Sequence, residues 1–463
     1  MSYKILDYFK TKKIVNQTIT FKVPVDYSST HPNPPLIDVT ITITQKYDKT
    51  FHSEKDGFEE IILPENPNLM LYLQGGPGFG CNIPTDYSGM TKVLLDEGYQ
   101  IVWLDQRGTG LSTPLDCLTR KQNTPANKYY DKLFEYLIHF RADSIVKDAE
   151  HIRKILIGDN KWSLLGQSYG GFCCFTYLSF YSDSIKQVLI TGGVPPIGKT
   201  VDDVYTQTYK RTEERNIHYY NKYPQDIERV IGICDYLERN HPDVILPNGG
   251  TLSVERFQQL GLNFGATGGT DKIHSIVTKF HSDLKQFKKL SLNTLTLIQD
   301  SMSFDTNNIY AFFQEAIYCD GNMKSNWSAD RLRYAPGNET FTHNTDIIYF
   351  TGEMVYKSMF TDYTSLREYR SLADKLHDYE NWSQLYDIDK LKSITWDQVP
   401  IVAATYYSDQ YVDFKLTEHV KNNIVSPDNL RQFITNEFFH NGLRANPEKI
   451  LGSLFKLLDD DID

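Results

Sequence analysis

Residues 164–172 read LLGQSYGGF, with Ser168 held between Gly166 and Gly170–Gly171 directly after an apolar run. G-x-S-x-G at the end of a buried strand has the spacing of a nucleophile elbow. In such an elbow a strained turn lifts the hydroxyl above the sheet, and small neighbours leave it room. A serine so placed attacks a carbonyl only with help. It needs an imidazole to take its proton, a carboxylate to orient that imidazole, and backbone N–H groups to hold the oxyanion. The chain order serine, acid, histidine narrows the choice. In VAATYYSDQYVDF, Asp409 follows an apolar strand and is the first candidate acid, with Asp413 as the alternative. Two of the twelve histidines come later. His419, in KLTEHVKNN, reads as the surface of an amphipathic helix. His440, in ITNEFFHNGLR, sits in a loop beside Asn441 and Gly442 and is the candidate base.

The oxyanion donors come from two places. One is the N–H of Tyr169, immediately after the nucleophile; the other belongs to the glycine-rich loop LYLQGGPGFG, where the Gly76 N–H is favoured. A further stretch, WLDQRGTGLS, carries Asp105 and Arg107, read here as a buried ion pair that braces the loops rather than as catalytic groups. Cys173 and Cys174 follow Ser168 by about one and a half helical turns. A bulky thiol reagent is expected to inhibit by distorting that helix, unless both thiols are buried and inert.

These residues need elements to carry them. QTITFKV and IDVTITITQ alternate with period two, as exposed antiparallel strands do, and LMLYLQ, QIVWLDQ, WSLLGQ and KQVLITGG read as central parallel strands. DSIVKDAEHIRKILIG is an amphipathic helix. From about residue 197 to 395 the texture is helical, as in VYTQTYKRTEERNIHYYNKY, DIERVIGICDYLERN, HSIVTKFHSDLKQF and IYAFFQEAIY. Strands return with VPIVAATYY and LRQFITNE, and PEKILGSLFKLL closes as a helix. The expected class is α/β: residues 1–196 and 396–463 form one core, and 197–395 form a large helical cap inserted between late strands. That cap would sit over the carboxyl ends of the strands, where open α/β sheets place their sites.

Composition bounds the partners. The chain has 463 residues, a net charge of −11, 40% hydrophobic and 23% charged residues, which is ordinary for a globular protein. The acidic balance argues against nucleic acid and anionic membranes. No run of 18 apolar residues offers a membrane span, and MSYKILDYFKTKKIVNQ lacks the apolar stretch of a signal peptide. A cytoplasmic protein is expected, with Cys81, Cys117, Cys173, Cys174, Cys234 and Cys319 as free thiols and no CxxC metal spacing. No metal or organic cofactor is called for.

Taken in order, QGGPGFG, DQRGTGLS, GQSYGGF, FTGEMVY, SDQYVDF and TNEFFHNGLR resemble the prolyl aminopeptidases (proline iminopeptidases), S33-type α/β-hydrolase peptidases, in their longer branch. The resemblance implies an α/β-hydrolase fold, Ser168, Asp409 and His440 as the triad, and the GGPG stretch as oxyanion loop. Gln74 stands where shorter members carry the histidine of HGGPG. It also implies release of an N-terminal residue, proline above all, from small peptides with a free N-terminus. Such a reaction asks the cap for a carboxylate to meet the amine, and Glu315 in FFQEAIYCDG and Glu353 in FTGEMVY are the candidates. The rival is an esterase or amidase for small neutral acyl substrates, which needs no acidic cap residue. A catalytically dead binding protein would have lost a triad member, and epoxide hydrolases and dehalogenases use Asp at the elbow.

Overall fold

The computed structural model describes residues 3–49, 52, 60–115, 126–302, 304–343 and 345–460. Its spine is one nine-stranded sheet: β1 (Tyr3–Lys10), β2 (Ile14–Pro24), β3 (Leu36–Lys46), β4 (Leu69–Leu73), β5 (Gln100–Asp105), β6 (Trp162–Gln167), β7 (Ile185–Thr191), β8 (Ile401–Tyr406) and β9 (Leu430–Thr435), in the order β1-β2-β3-β5-β4-β6-β7-β8-β9. The strands from β4 to β9 run parallel, and β1 to β3 add on antiparallel through β5. The short apolar runs thus become the fully buried parallel strands, as expected of strands covered on both faces.

The antiparallel pair departs from expectation in one respect. β2 and β3 are buried on both faces, not exposed on one. Their polar residues are satisfied rather than solvated: Gln17 Nε2 donates to the Glu60 carbonyl, Gln45 Nε2 to that of Ile62, and Asn16 Nδ2 to that of Pro84. The loops at those residues cover the polar face. β1 was not anticipated at all, because a half-exposed edge strand has no apolar run to announce it.

Between β7 and β8 the described chain adds no strand to the sheet, only helices, loops and one isolated bridge at Ile245 and Thr251. The longest helices here are Val201–Lys222, Asp226–Arg239 and Gly269–Phe287. The stretch IYAFFQEAIY does not form one helix. It makes Asn308–Phe313, breaks at Gln314 and Glu315, and resumes as a short 3-10 turn at Ala316–Tyr318. Among the described residues no helix is long and apolar enough to cross a membrane.

The helix Tyr169–Tyr181 follows β6 without a loop and is buried around its whole circumference from Tyr169 to Ser179. Its entry is possible only with glycine. A Cβ on Gly170 would lie 1.8 Å from the Leu73 carbonyl oxygen, and one on Gly166 would lie 2.6 Å from the Gly170 backbone. Gly170→Ala is therefore expected to cost about 3 kcal/mol or more, at or beyond the top of the usual overpacking range. Gly232→Ala, exposed in the helix Asp226–Arg239 with nothing within 4 Å, should instead be neutral or stabilising by about 0.5–1 kcal/mol. Thermal unfolding midpoints of the two variants decide this, and an unchanged midpoint for Gly170→Ala would contradict it.

Candidate active site

Four loops at the carboxyl edge of the parallel strands carry the residues singled out from the sequence. Ser168 follows β6 with φ of 54°, a left-handed backbone that only a tightly determined turn imposes on serine. Its N–H donates to the Thr191 carbonyl at 3.0 Å, tying the elbow to the end of β7. The next N–H, of Tyr169, opens the helix, a position whose donor has no acceptor within its own helix.

The loop after β4 lies against the elbow. A Cβ on Gly75 would come within 2.9 Å of Ser168 Cβ, so Gly76 stands one residue from the nucleophile's side chain. Gln106 Nε2 holds this loop by donating to the Gln74 carbonyl at 2.9 Å, and Tyr72 OH donates to Gln74 Oε1 at 2.7 Å. Asp105 braces from the other side, accepting from the N–H groups of Cys81 and Leu111, each at 2.8 Å. The expected Asp105–Arg107 pair is not formed. Arg107 makes a bidentate, fully buried pair with Asp148 at 2.6 and 2.7 Å and donates to the carbonyls of Val25 and His139. Both residues brace loops, with different partners.

Asp409, in the turn after β8, has no exposed surface and accepts from the N–H groups of Tyr411 and Val412 through Oδ1. Its Oδ2 lies 2.7 Å from His440 Nδ1. His440 and Ser168 abut the same two-residue turn after β7. A Cβ on Gly192 would lie 3.2 Å from His440 Nδ1, and one on Gly193 would lie 2.3 Å from the Ser168 carbonyl oxygen. Burial disfavours a charged imidazole, but the Asp409 and Glu353 carboxylates outweigh it and hold His440 above its ordinary 6.5. Asp413 is occupied elsewhere, capping the helix Phe414–Asn423 through the Leu416 N–H and accepting from Arg211 Nε at 2.6 Å. His419 lies on that helix, beside Asn423.

The segment between β7 and β8 closes over these loops. The His440 N–H donates to the Gly265 carbonyl at 3.0 Å, Gln410 Nε2 to that of Gly261 at 2.9 Å, and Tyr411 OH to that of Leu262. Phe79 of the glycine loop meets Tyr310 edge-on at 5.1 Å. The two candidate glutamates part company here. Glu353 is enclosed yet not sealed; it accepts from Tyr310 OH and feels both His440 and Asp409. Burial pushes its carboxyl above the usual range, and His440 only partly opposes this. Glu315, by contrast, accepts from the N–H groups of Ser328 and Ala329 at 3.0 and 2.9 Å and contacts His377 Nδ1 at 3.0 Å. Its oxygens tie together parts of the segment between β7 and β8.

Residues missed from the sequence are Tyr310, Gln314 and Tyr411. Tyr411 packs on His440 at 4.6 Å, and Gln314 lies against Glu353. Nothing in their local patterns distinguishes them from core aromatics or a helical glutamine. Cys173 and Cys174 are fully buried, and burial raises both thiols well above their ordinary range, so the expected thiol sensitivity has no reachable target there. Cys117 lies outside the described residues; the other five cysteines are free. Among the described residues no group of three or more His, Cys, Asp or Glu side chains is placed to hold a metal.

A strained serine elbow on a mostly parallel sheet, with acid and histidine on later loops, defines an α/β hydrolase, and the α/β-hydrolase family model matches residues 68–217. The relatives are more particular. A proline iminopeptidase of Aeromonas sobria is 38% identical over 94% of this chain and 95% of its own. One from Aspergillus aculeatus is 37% identical over 86% and 87%. A proline iminopeptidase of Thermoplasma volcanium aligns over only 32% of this chain, at 28% identity. The chain belongs to the proline iminopeptidase family.

Asp409 contacts the His440 imidazole and Asp413 a helix N-terminus and Arg211, so the two can be told apart by mutation. Asp409→Asn is expected to lower kcat by about 10⁴-fold, because asparagine favours the wrong imidazole tautomer. Asp413→Asn should retain kcat and lose about 1–3 kcal/mol of stability through the weakened Arg211 contact. Turnover and thermal unfolding of both variants check this; the reverse pattern would move the acid to Asp413.

Proposed function

We propose that the protein is a serine aminopeptidase that releases N-terminal proline from small peptides, with residues 197–395 acting as the cap that closes the site and the cytoplasm as its compartment. The observation that carries this reading is the buried 2.7 Å Asp409–His440 contact beside the Ser168 elbow, with the Glu353 carboxylate in the same enclosure. Ser168 Oγ attacks the carbonyl of the first residue while His440 takes its proton. Asp409 holds the Nδ1 proton and stabilises the imidazolium. The Gly76 and Tyr169 N–H groups receive the developing oxyanion. His440 then protonates the leaving amine, and water, activated by the same imidazole, releases the amino acid from Ser168.

Glu353 supplies the exopeptidase character. A half-enclosed carboxylate beside a second one favours a cationic ligand and disfavours a neutral acyl group, which distinguishes this reading from an esterase or amidase. Leaving a buried charge unpaired costs about 2–5 kcal/mol. Glu315, with its oxygens taken by Ser328, Ala329 and His377, supports that role from the scaffold.

Ser168→Ala should abolish turnover of prolyl amides with the fold intact, a loss on the order of 10⁶ in kcat. N-acetylprolyl amides should be very poor substrates. Glu353→Gln should lower kcat/KM for free prolyl amides by about 100-fold or more, from the same 2–5 kcal/mol, while sparing uncharged esters. Equal cleavage of free and acetylated substrates would instead support the esterase.

The pH profile follows from His440. The base works only when neutral, and its two carboxylates raise it, so kcat/KM should climb with pH through a midpoint above 6.5. Removing the Glu353 charge takes away one raising influence, so Glu353→Gln should move that midpoint acidward for an uncharged ester. A midpoint unchanged in the variant would place Glu353 too far from the imidazole to matter.

A further inference from the structure

The break in the helix after Phe313 turns two adjacent polar side chains in different directions. Glu315 is fully satisfied by the scaffold. Gln314 is not. Its backbone N–H closes the last helical turn on the Tyr310 carbonyl at 3.1 Å, and its side chain is 1% exposed. Among the described residues neither Nε2 nor Oε1 makes a well-formed hydrogen bond. A buried amide whose Oε1 has no partner and whose Nε2 has only a loose contact with Glu353 is costly, and native interiors rarely keep one without a use. The group beside it is Glu353, whose charged form it favours, and the Tyr310 hydroxyl one turn back is already spent on that carboxylate. Gln314 therefore lies beside the carboxylate that the proposed function assigns to the substrate amine.

We propose that Gln314 is a specificity-determining residue that forms, with Glu353, a two-acceptor clamp for the substrate's N-terminal amine, so that the site requires at least two N–H donors on that nitrogen. This rests on the function proposed above. The donor inventory gives the orientation. A carboxylate beside an amide calls for its Nε2 end, which leaves Oε1 as the free acceptor. A protonated N-terminal proline is a secondary ammonium with two N–H bonds; one goes to Glu353 and the other to Gln314 Oε1. A primary ammonium, with three, also satisfies both, so the clamp does not itself choose proline. It excludes a tertiary amine, which keeps the positive charge but has a single N–H.

The experiment compares prolyl and N-methylprolyl p-nitroanilides, both cationic near neutral pH, on native protein and on Gln314→Met, which keeps the volume and removes both polar atoms. Native protein should prefer the prolyl substrate by about 100-fold in kcat/KM. Gln314→Met should lose about 10-fold or more on the prolyl substrate and less than 3-fold on the N-methylated one, so the preference shrinks by roughly the loss on the first. A loss shared equally by both substrates, or no loss on either, overturns the proposal. Should Gln314→Met fail to fold, the native protein still decides: comparable cleavage of the two substrates leaves no clamp, and strong preference for the prolyl substrate with cleavage of prolyl and alanyl anilides supports one. Absence of any Ser168-dependent prolyl cleavage would remove the function itself, an outcome distinct from a native preference near one.

Discussion

The site hangs on one close contact, the backbone of the elbow helix against the end of β4. Gly170 approaches the Leu73 carbonyl so nearly that no other residue fits, and on the opposite side Gly171 does the same to the Gly193 carbonyl. The first turn of the helix is thus clamped between the ends of two parallel strands. Three consequences follow from this one constraint. Ser168 is forced into a left-handed backbone with its side chain above the sheet edge. The Tyr169 N–H is presented at the same edge, and the glycine loop that begins where β4 ends lies against the Ser168 side chain. The cost of the strained serine is met by an apolar helix, with Phe172, Phe175 and Leu178 each almost wholly buried. Burial of such side chains contributes about 1.5–3 kcal/mol apiece.

Residues remote from the clamp serve to keep its surroundings in register. Arg107 and Asp148 join the end of β2, the loop after β5 and the helix Ala142–Ile157 in one buried pair. Arg141 reaches into the segment between β7 and β8, donating to the carbonyls of Ala316, Cys319 and Ser383 while stacking on Trp382 at 4.3 Å. Glu315 performs the same office inside that segment. The break at Gln314 is therefore anchored both from the core, through Arg141, and from the helix Ser328–Arg333, through Glu315. A side chain projecting from so well-held a position can be left unsatisfied without the chain rearranging to satisfy it.

What could be read from the sequence follows the range of the interactions. The parallel strands were legible because burial on both faces leaves continuous apolar runs, as in LMLYL and IVAATY. The family was legible because its motifs are local, and the pairing of Asp409 with His440 was foreseeable because strand connectivity brings the loops after β8 and β9 to one edge. β1 was not, since an edge strand needs no such run. β2 and β3 misled because their alternation implied solvent on one face, whereas the Glu60, Ile62 and Pro84 carbonyls lie far along the chain from the side chains they satisfy. Glu315 and Glu353 looked alike for the same reason. Each sits among apolar neighbours in a short motif, and only Ser328, Ala329 and His377 on one side, and Tyr310 and His440 on the other, separate their roles.

Two carboxylates flank a single imidazole in this enclosure, and their balance with a cationic substrate bears on the chemistry. The Asp409 charge adds to the cost of ionising Glu353, and the two carboxylates jointly raise His440. The resting site therefore holds a proton on the imidazole more readily than a free histidine does, and a protonated imidazole cannot act as a base. A cationic amine held by Glu353 cancels one of the two charges that favour the imidazolium, and its own positive charge adds repulsion in the same direction. In the reaction proposed above, binding would thus shift the proton affinity of His440 downward, toward the neutral form that accepts the Ser168 proton. Under the proposed function the amine carries out two tasks by the same electrostatics: it marks the end of the peptide chain, and it offsets the Glu353 charge that favours the imidazolium. A neutral acyl substrate would do neither, and would leave both carboxylates favouring the imidazolium. On the proposed function, exopeptidase selectivity is carried by the readiness of the catalytic base as well as by contacts to the amine.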